Sequence, residues 1–269
     1  MQLITDSKFY LFSTIFSSGI NFLLIPVYTQ FLSPADFGVV ALFGTFGQVL
    51  TGLITIGIHK ATYKYFFDYE KNKPELLSML SSNLFFIFAV FIIVGIFVYF
   101  NSIWLSEKLF NSQISHEIVS LSFFCGCLTY FINFFVLILT AQSRSKEYAI
   151  ITIGRAIINN IICFYFIFQF SLTFMAKIYA TIITQFFLVL VLLFLFRDQI
   201  GFVFSLSKLK KSLIFSYPNA PRAIIGLIYK SFDKILLNKI IGIDSVGYYS
   251  IAAQFANTIK IISNSLSKA

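Results

Sequence analysis

Unbroken apolar runs of about twenty residues constrain this chain more than any other feature, because that length of helix matches a bilayer core of about 30 Å. Eight runs occur: 9–32, 37–58, 79–100, 118–140, 149–170, 176–196, 213–241 and 246–266. Strands of a membrane barrel would alternate apolar and polar positions over about 10 residues. These runs do not alternate, so the sequence predicts helices. The expected fold class is all-α: a polytopic helical membrane protein with about eight transmembrane helices. The seventh run is the weakest, because it carries Pro218, Pro221, Arg222, Lys230, Asp233, Lys234 and Lys239. The eighth is apolar but serine-rich.

Composition removes the alternatives. The chain has 269 residues and is 58% hydrophobic, 19% aromatic and 12% charged. A soluble domain is about a quarter charged, so this chain lacks the polar surface to cover a globule. Soluble-enzyme, disordered, collagenous and disulfide-scaffold classes are excluded. The net charge of +9 lies in short clusters between apolar runs, a pattern of lipid-facing loops rather than a nucleic-acid surface. Cys125, Cys127 and Cys163 lie inside apolar runs and read as small packing residues. His59 and His116 have no neighbouring ligands in sequence that would make a metal site. No ATP-binding motif is visible, and no cofactor is expected. The first run is long for a signal peptide and has no clear cleavage site, so it reads as a retained span.

Loop cations set the orientation. Lys60, Lys64, Lys71, Lys73, Arg144, Lys146, Arg197, Lys208, Lys210 and Lys211 follow even-numbered runs. Lys108, Lys177 and Lys239 lie on the opposite side. The even loops and the N-terminus are therefore expected in the cytoplasm.

The basic stretch 197–212 separates a six-helix unit, residues 1–200, from a second unit, 201–269. The break coincides with a possible internal repeat. The turn Ser33-Pro34-Ala35-Asp36-Phe37-Gly38 resembles Gly242-Ile243-Asp244-Ser245-Val246-Gly247, an acidic residue followed by Gly at a short outer turn. Gly38 and Gly247 are 209 residues apart. Six spans return the chain to its starting side, so the second unit would repeat the first about an axis along the membrane normal. The second unit would then hold two of six expected helices, as in a fragment or a truncated gene product.

The segments Pro26-Val27-Tyr28-Thr29-Gln30-Phe31-Leu32, Ser33 to Gly38, Asp233-Lys234-Ile235-Leu236-Leu237-Asn238-Lys239 and Ser245-Val246-Gly247-Tyr248-Tyr249-Ser250 resemble bacterial polysaccharide biosynthesis proteins of the O-antigen flippase type. That family belongs to the multidrug/oligosaccharidyl-lipid/polysaccharide (MOP) exporter superfamily. The resemblance implies 12 to 14 spans in two halves around a central cavity. It implies movement of a polyprenyl-diphosphate-linked oligosaccharide between leaflets of the bacterial inner membrane. It further implies membrane lipids, a polysaccharide polymerase and chain-length machinery as partners.

Ionisable groups inside spans are costly and point to function. Arg155 lies six residues into the fifth run; it either snorkels to cytoplasmic headgroups or faces a cavity. Asn159 shares its face by i,i+4 spacing, as sugar-contacting wall or as helix–helix glue. In the seventh run, Arg222 and Asp233 fall within about 20° of each other on a helix, with Lys230 close by. That face is expected to look into the protein and to meet a diphosphate. The alternative is a span that starts later and leaves Arg222 as an interfacial anchor. Asn21, Asn133 and Gln185 are weaker polar candidates. Glu107, His116 and Glu117 are the only acid–base candidates on the longest outer loop, so an enzyme is disfavoured. A cation-coupled drug exporter needs buried carboxylates, and the first six runs have none. An inactive truncation product is the remaining alternative.

Overall fold

Helices occupy every apolar run in a computed structural model of the chain, and no strand occurs among the described residues. The structure describes residues 2–55, 57–110 and 114–266, with side chains described over 8–260 except 56, 109–113, 223, 228 and 230. In order, the elements are α1 (Gln2–Leu23), α2 (Ile25–Tyr28), α3 (Pro34–Ile54), α4 (Ile58–Tyr69), α5 (Lys73–Phe100) and α6 (Ser102–Phe110). They continue with α7 (His116–Ala141), α8 (Ser145–Phe170), α9 (Phe174–Leu195) and α10 (Leu206–Ser216), then a 3-10 turn (Tyr217–Asn219), α11 (Ala220–Ile240) and α12 (Ile243–Leu266).

Local chemistry sets the breaks. The first run is interrupted at Leu24, two residues before Pro26 in α2. Ser33 and Asp36 cap α3: the Ser33 amide and hydroxyl both donate to Asp36 Oδ2 at 2.8 Å, and the Asp36 amide donates to Ser33 Oγ at 3.2 Å. Gly57 adopts a left-handed φ of 69° and separates α3 from the amphipathic α4. The Asn72 side chain caps α5 by accepting from the Glu75 amide.

Six helical stretches among the described residues are long and apolar enough to cross a membrane: Lys8–Tyr28, Pro34–Ile54, Lys73–Phe100, His116–Ala141, Ser145–Phe170 and Phe174–Leu195. The sequence expectation was eight. Helices α11 and α12 are long enough, at 21 and 24 residues, but α11 carries five ionisable side chains and α12 is diluted by Ser245, Ser250, Gln254 and Asn257. The seventh run is also not one helix. Pro218 sits in the 3-10 turn and Pro221 in the first turn of α11, where a missing N–H costs least. Residues 213–216 belong to α10 instead.

The chain forms two compact units, interleaved along the sequence. The first comprises Met1–Phe43, Gln142–Leu188 and Lys234–Ala269; the second comprises Gly44–Ala141 and Val189–Asp233. In the first, α1 packs against α8 and α12, and Tyr28, Leu32, Phe37, Cys163, Ile167, Ala176 and Ala180 form a buried apolar cluster. The two turn glycines meet here. A Cβ on Gly38 would overlap the carbonyl oxygen of Ile243, and one on Gly247 would overlap that of Pro34. Ile243 and Pro34 each precede their glycine by four residues, so the contact is reciprocal at the 209-residue spacing. Small residues that admit close backbone approach hold helices together where lipid supplies no hydrophobic drive.

In the second unit α4 and α5 pack on each other, and both pack on α7 and on α10. Gly47 and Gly126 make a similar close crossing: a Cβ on Gly47 would overlap the Ser122 carbonyl, and one on Gly126 the Gly47 carbonyl. The approach to α10 is tied down by polar bonds. The Gly201 amide donates to Ser81 Oγ (2.9 Å) and the Ser205 amide to Ser82 Oγ (2.7 Å). Lys208 pairs with Glu75.

Gly38→Ala and Gly247→Ala are expected to destabilise the folded protein by about 1–3 kcal/mol through overpacking. Gly154→Ala in α8, whose Cβ would meet nothing within 4 Å, is expected to be neutral or slightly stabilising. Thermal unfolding of the three variants in mild detergent checks the contrast.

Candidate functional site

Polar side chains that a lipid face would reject collect around two cavities, one in each unit. The cavity of the first unit has a volume of about 320 Å³. Helix α1 contributes Ser18 and Asn21, α2 contributes Tyr28, and α8 contributes Asn159 and Asn160. Helix α9 adds Lys177 and Thr181 at i,i+4, and α12 adds Gln254, Asn257 and Thr258 on one face.

A hydrogen-bond network fixes one wall. Tyr28 Oη donates to Asn160 Oδ1 at 2.7 Å. Asn160 Nδ2 donates to Asn21 Oδ1 (3.2 Å) and to the Ala156 carbonyl (2.7 Å). Asn159 Nδ2 donates to Thr181 Oγ1 at 3.3 Å. The Tyr28 ring stacks on Phe164 with centroids 4.9 Å apart. Lys177 Nζ lies 3.8 Å from the centre of the Tyr28 ring and 4.6 Å from that of Phe37, both cation–π distances.

The cavity of the second unit is larger, about 570 Å³. Its walls hold Thr51, Thr55, Thr129, Tyr130, Asn133 and Gln48, with the basic groups His59, Lys60 and Arg222. Burial, with the neighbouring Lys60 charge, holds the His59 imidazole below the usual histidine range. Its ring meets Tyr130 edge to face at 6.2 Å. Neither cavity has an aspartate or glutamate among its described lining residues.

The polysaccharide biosynthesis protein family matches residues 4–269. The chain belongs to that family. No curated protein matches it. Among solved structures, it is similar to an inward-facing multidrug resistance MATE family transporter of the MOP superfamily, with a TM-score of 0.61 and 17% identity. The match covers 90% of this chain and 57% of that transporter, so the chain spans less than two thirds of the protein it resembles. The likeness is one of fold. This family member is an all-α, multi-pass membrane protein.

The five residues singled out from the sequence of this polysaccharide biosynthesis protein fall into both units. Asn159 lines the first cavity. Arg155 belongs to the same unit, is half-buried, and is not among the residues lining that cavity. Arg222 lines the second cavity and is exposed. Asp233, also in the second unit, is exposed and does not line it. The Lys230 side chain lies outside the described residues. Of the weaker candidates, Asn21 lines the first cavity and Asn133 the second.

Sequence reasoning missed Lys177, Tyr28, Gln254 and Asn257 in the first cavity and His59 and Lys60 in the second. The triplet Gln254, Asn257, Thr258 carried a readable signal, since i, i+3, i+4 polar residues in an apolar helix share one face. Lys177 carried none, because a lysine at a helix start reads as an interfacial charge.

Tyr28→Phe is expected to cost about 0.5–1.5 kcal/mol by leaving Asn160 short of a donor, read as lowered thermal stability. His59 is expected to titrate below the ordinary value of about 6.5, measured by NMR with His116→Gln for assignment. Because folding favours neutral His59, this group's share of stability holds above the ordinary value and is lost as pH falls from there through the lowered folded-state value.

Proposed function

We propose that this protein takes part in export of polyprenyl-diphosphate-linked oligosaccharides, flipping them from the inner to the outer leaflet of a bacterial inner membrane. The observation that carries the reading is the set of five carboxamides, Asn21, Asn159, Asn160, Gln254 and Asn257, lining one cavity. Each amide both donates and accepts, as the hydroxyls of a glycan do. The basic wall of the second cavity, with Lys60 and Arg222, suits a diphosphate, whose charge bidentate Arg and point-charge Lys can offset. Family membership supports the same substrate class.

The reading includes a cytoplasmic N-terminus, on the asymmetry of loop cations. It also includes a first half, 1–200, and the start of a repeated second half, 201–269, which the reciprocal packing of Gly38 and Gly247 supports. Glycan polymerase and chain-length proteins are its expected partners. Transport needs no cofactor and no covalent chemistry, since the lipid-linked glycan leaves as it enters.

A second reading, cation-coupled drug export, draws on the MATE likeness. It ranks lower because neither cavity has a carboxylate among its described lining residues to carry the coupling ion. The double variant Lys60→Gln/Arg222→Gln is expected to lower surface glycan at least tenfold, with the protein still in the membrane. Normal surface glycan from that variant, or drug hypersensitivity of a deletion strain with intact glycan, would favour the second reading.

A further inference from the structure

We propose that the first unit's cavity is a subsite for a sugar bearing a carboxylate, with Lys177 as the group that binds it. This rests on the lipid-linked oligosaccharide reading and narrows it to acidic glycans. Lys177 is the one charged side chain among the described residues lining this cavity. No carboxylate lies within ion-pair distance of it among the described residues. Its ammonium rests on the Tyr28 and Phe37 rings at 3.8 and 4.6 Å. Ring faces offset part of the charge while leaving N–H donors for an acceptor. The platform is rigid, because Tyr28 is buried, bonded to Asn160 and stacked on Phe164.

The charge count selects the ligand. One ammonium among amides matches the single charge of a uronate carboxylate, and the amides match its neighbouring hydroxyls. A diphosphate carries two or more charges and is better met by Lys60 and Arg222 in the other cavity.

Two synthetic probes test this on the purified full chain in nanodiscs: polyprenyl-diphosphate-linked disaccharides ending in glucuronate or in glucose. A hydrogen bond to a charged group discriminates by about ten- to a hundredfold, so the glucuronate probe is expected to bind at least tenfold more tightly. Lys177→Gln should abolish that preference by weakening the glucuronate probe at least tenfold more than the glucose probe; Lys177→Arg, which keeps the charge, should retain it. Equal binding of both probes by the unaltered protein would overturn the proposal and leave the flippase reading standing. So would equal weakening of both by Lys177→Gln, since Lys177 would then serve the diphosphate they share. Binding of neither probe would overturn the flippase reading and this proposal with it.

Discussion

An amide in hydrocarbon has no water to bond with, and this one constraint orders most of the structure. It makes helices the only elements among the described residues, because a helix satisfies its backbone from within. It turns hydroxyls back onto their own helix: Thr51 Oγ1 donates to the Gly47 carbonyl at 2.7 Å, Thr55 to Thr51 at 2.8 Å and Thr62 to Ile58 at 3.0 Å. It gives glycine a structural task, since helices in lipid associate by close packing and not by burial of oil. Gly38 with Gly247, and Gly47 with Gly126, are such contacts. Polar side chains from several helices line the two cavities.

The two cavities gather different chemistry. In the first unit the polar wall is nearly neutral, built of amides and hydroxyls around a single ammonium. In the second the wall is threonine-rich, with lysine, arginine and histidine on it. Neither lining has a carboxylate among its described residues.

Much of the fold was legible because hydropathy over twenty residues is a strong signal. The six clear runs became six helical stretches of membrane length, with ends shifted by a few residues. The bounds 213–241 joined two helices in one run, and the prolines that made that run the weakest, Pro218 and Pro221, lie where the two helices part. The short acidic turns were visible, but not that Gly38 and Gly247 touch, because a contact across 209 residues leaves no periodicity. The site was half legible. Of the cavity-lining residues, Asn159 was singled out by helical spacing and Arg222 by the cost of charge in an apolar run. Lys177 was not, because its ring contacts come from α2 and α3, far away in sequence.

We propose that lipid-linked glycan meets the amide-lined cavity of the first unit. Site-specific photo-crosslinking tests it most directly. A photoreactive residue is placed at Asn257 in the cavity, or at Ile150 on the exposed face of α8, in cells making radiolabelled lipid-linked oligosaccharide. The account predicts label on the protein from position 257 and only background from position 150. Equal labelling at both positions, or none at 257 while surface glycan is made normally, would contradict it.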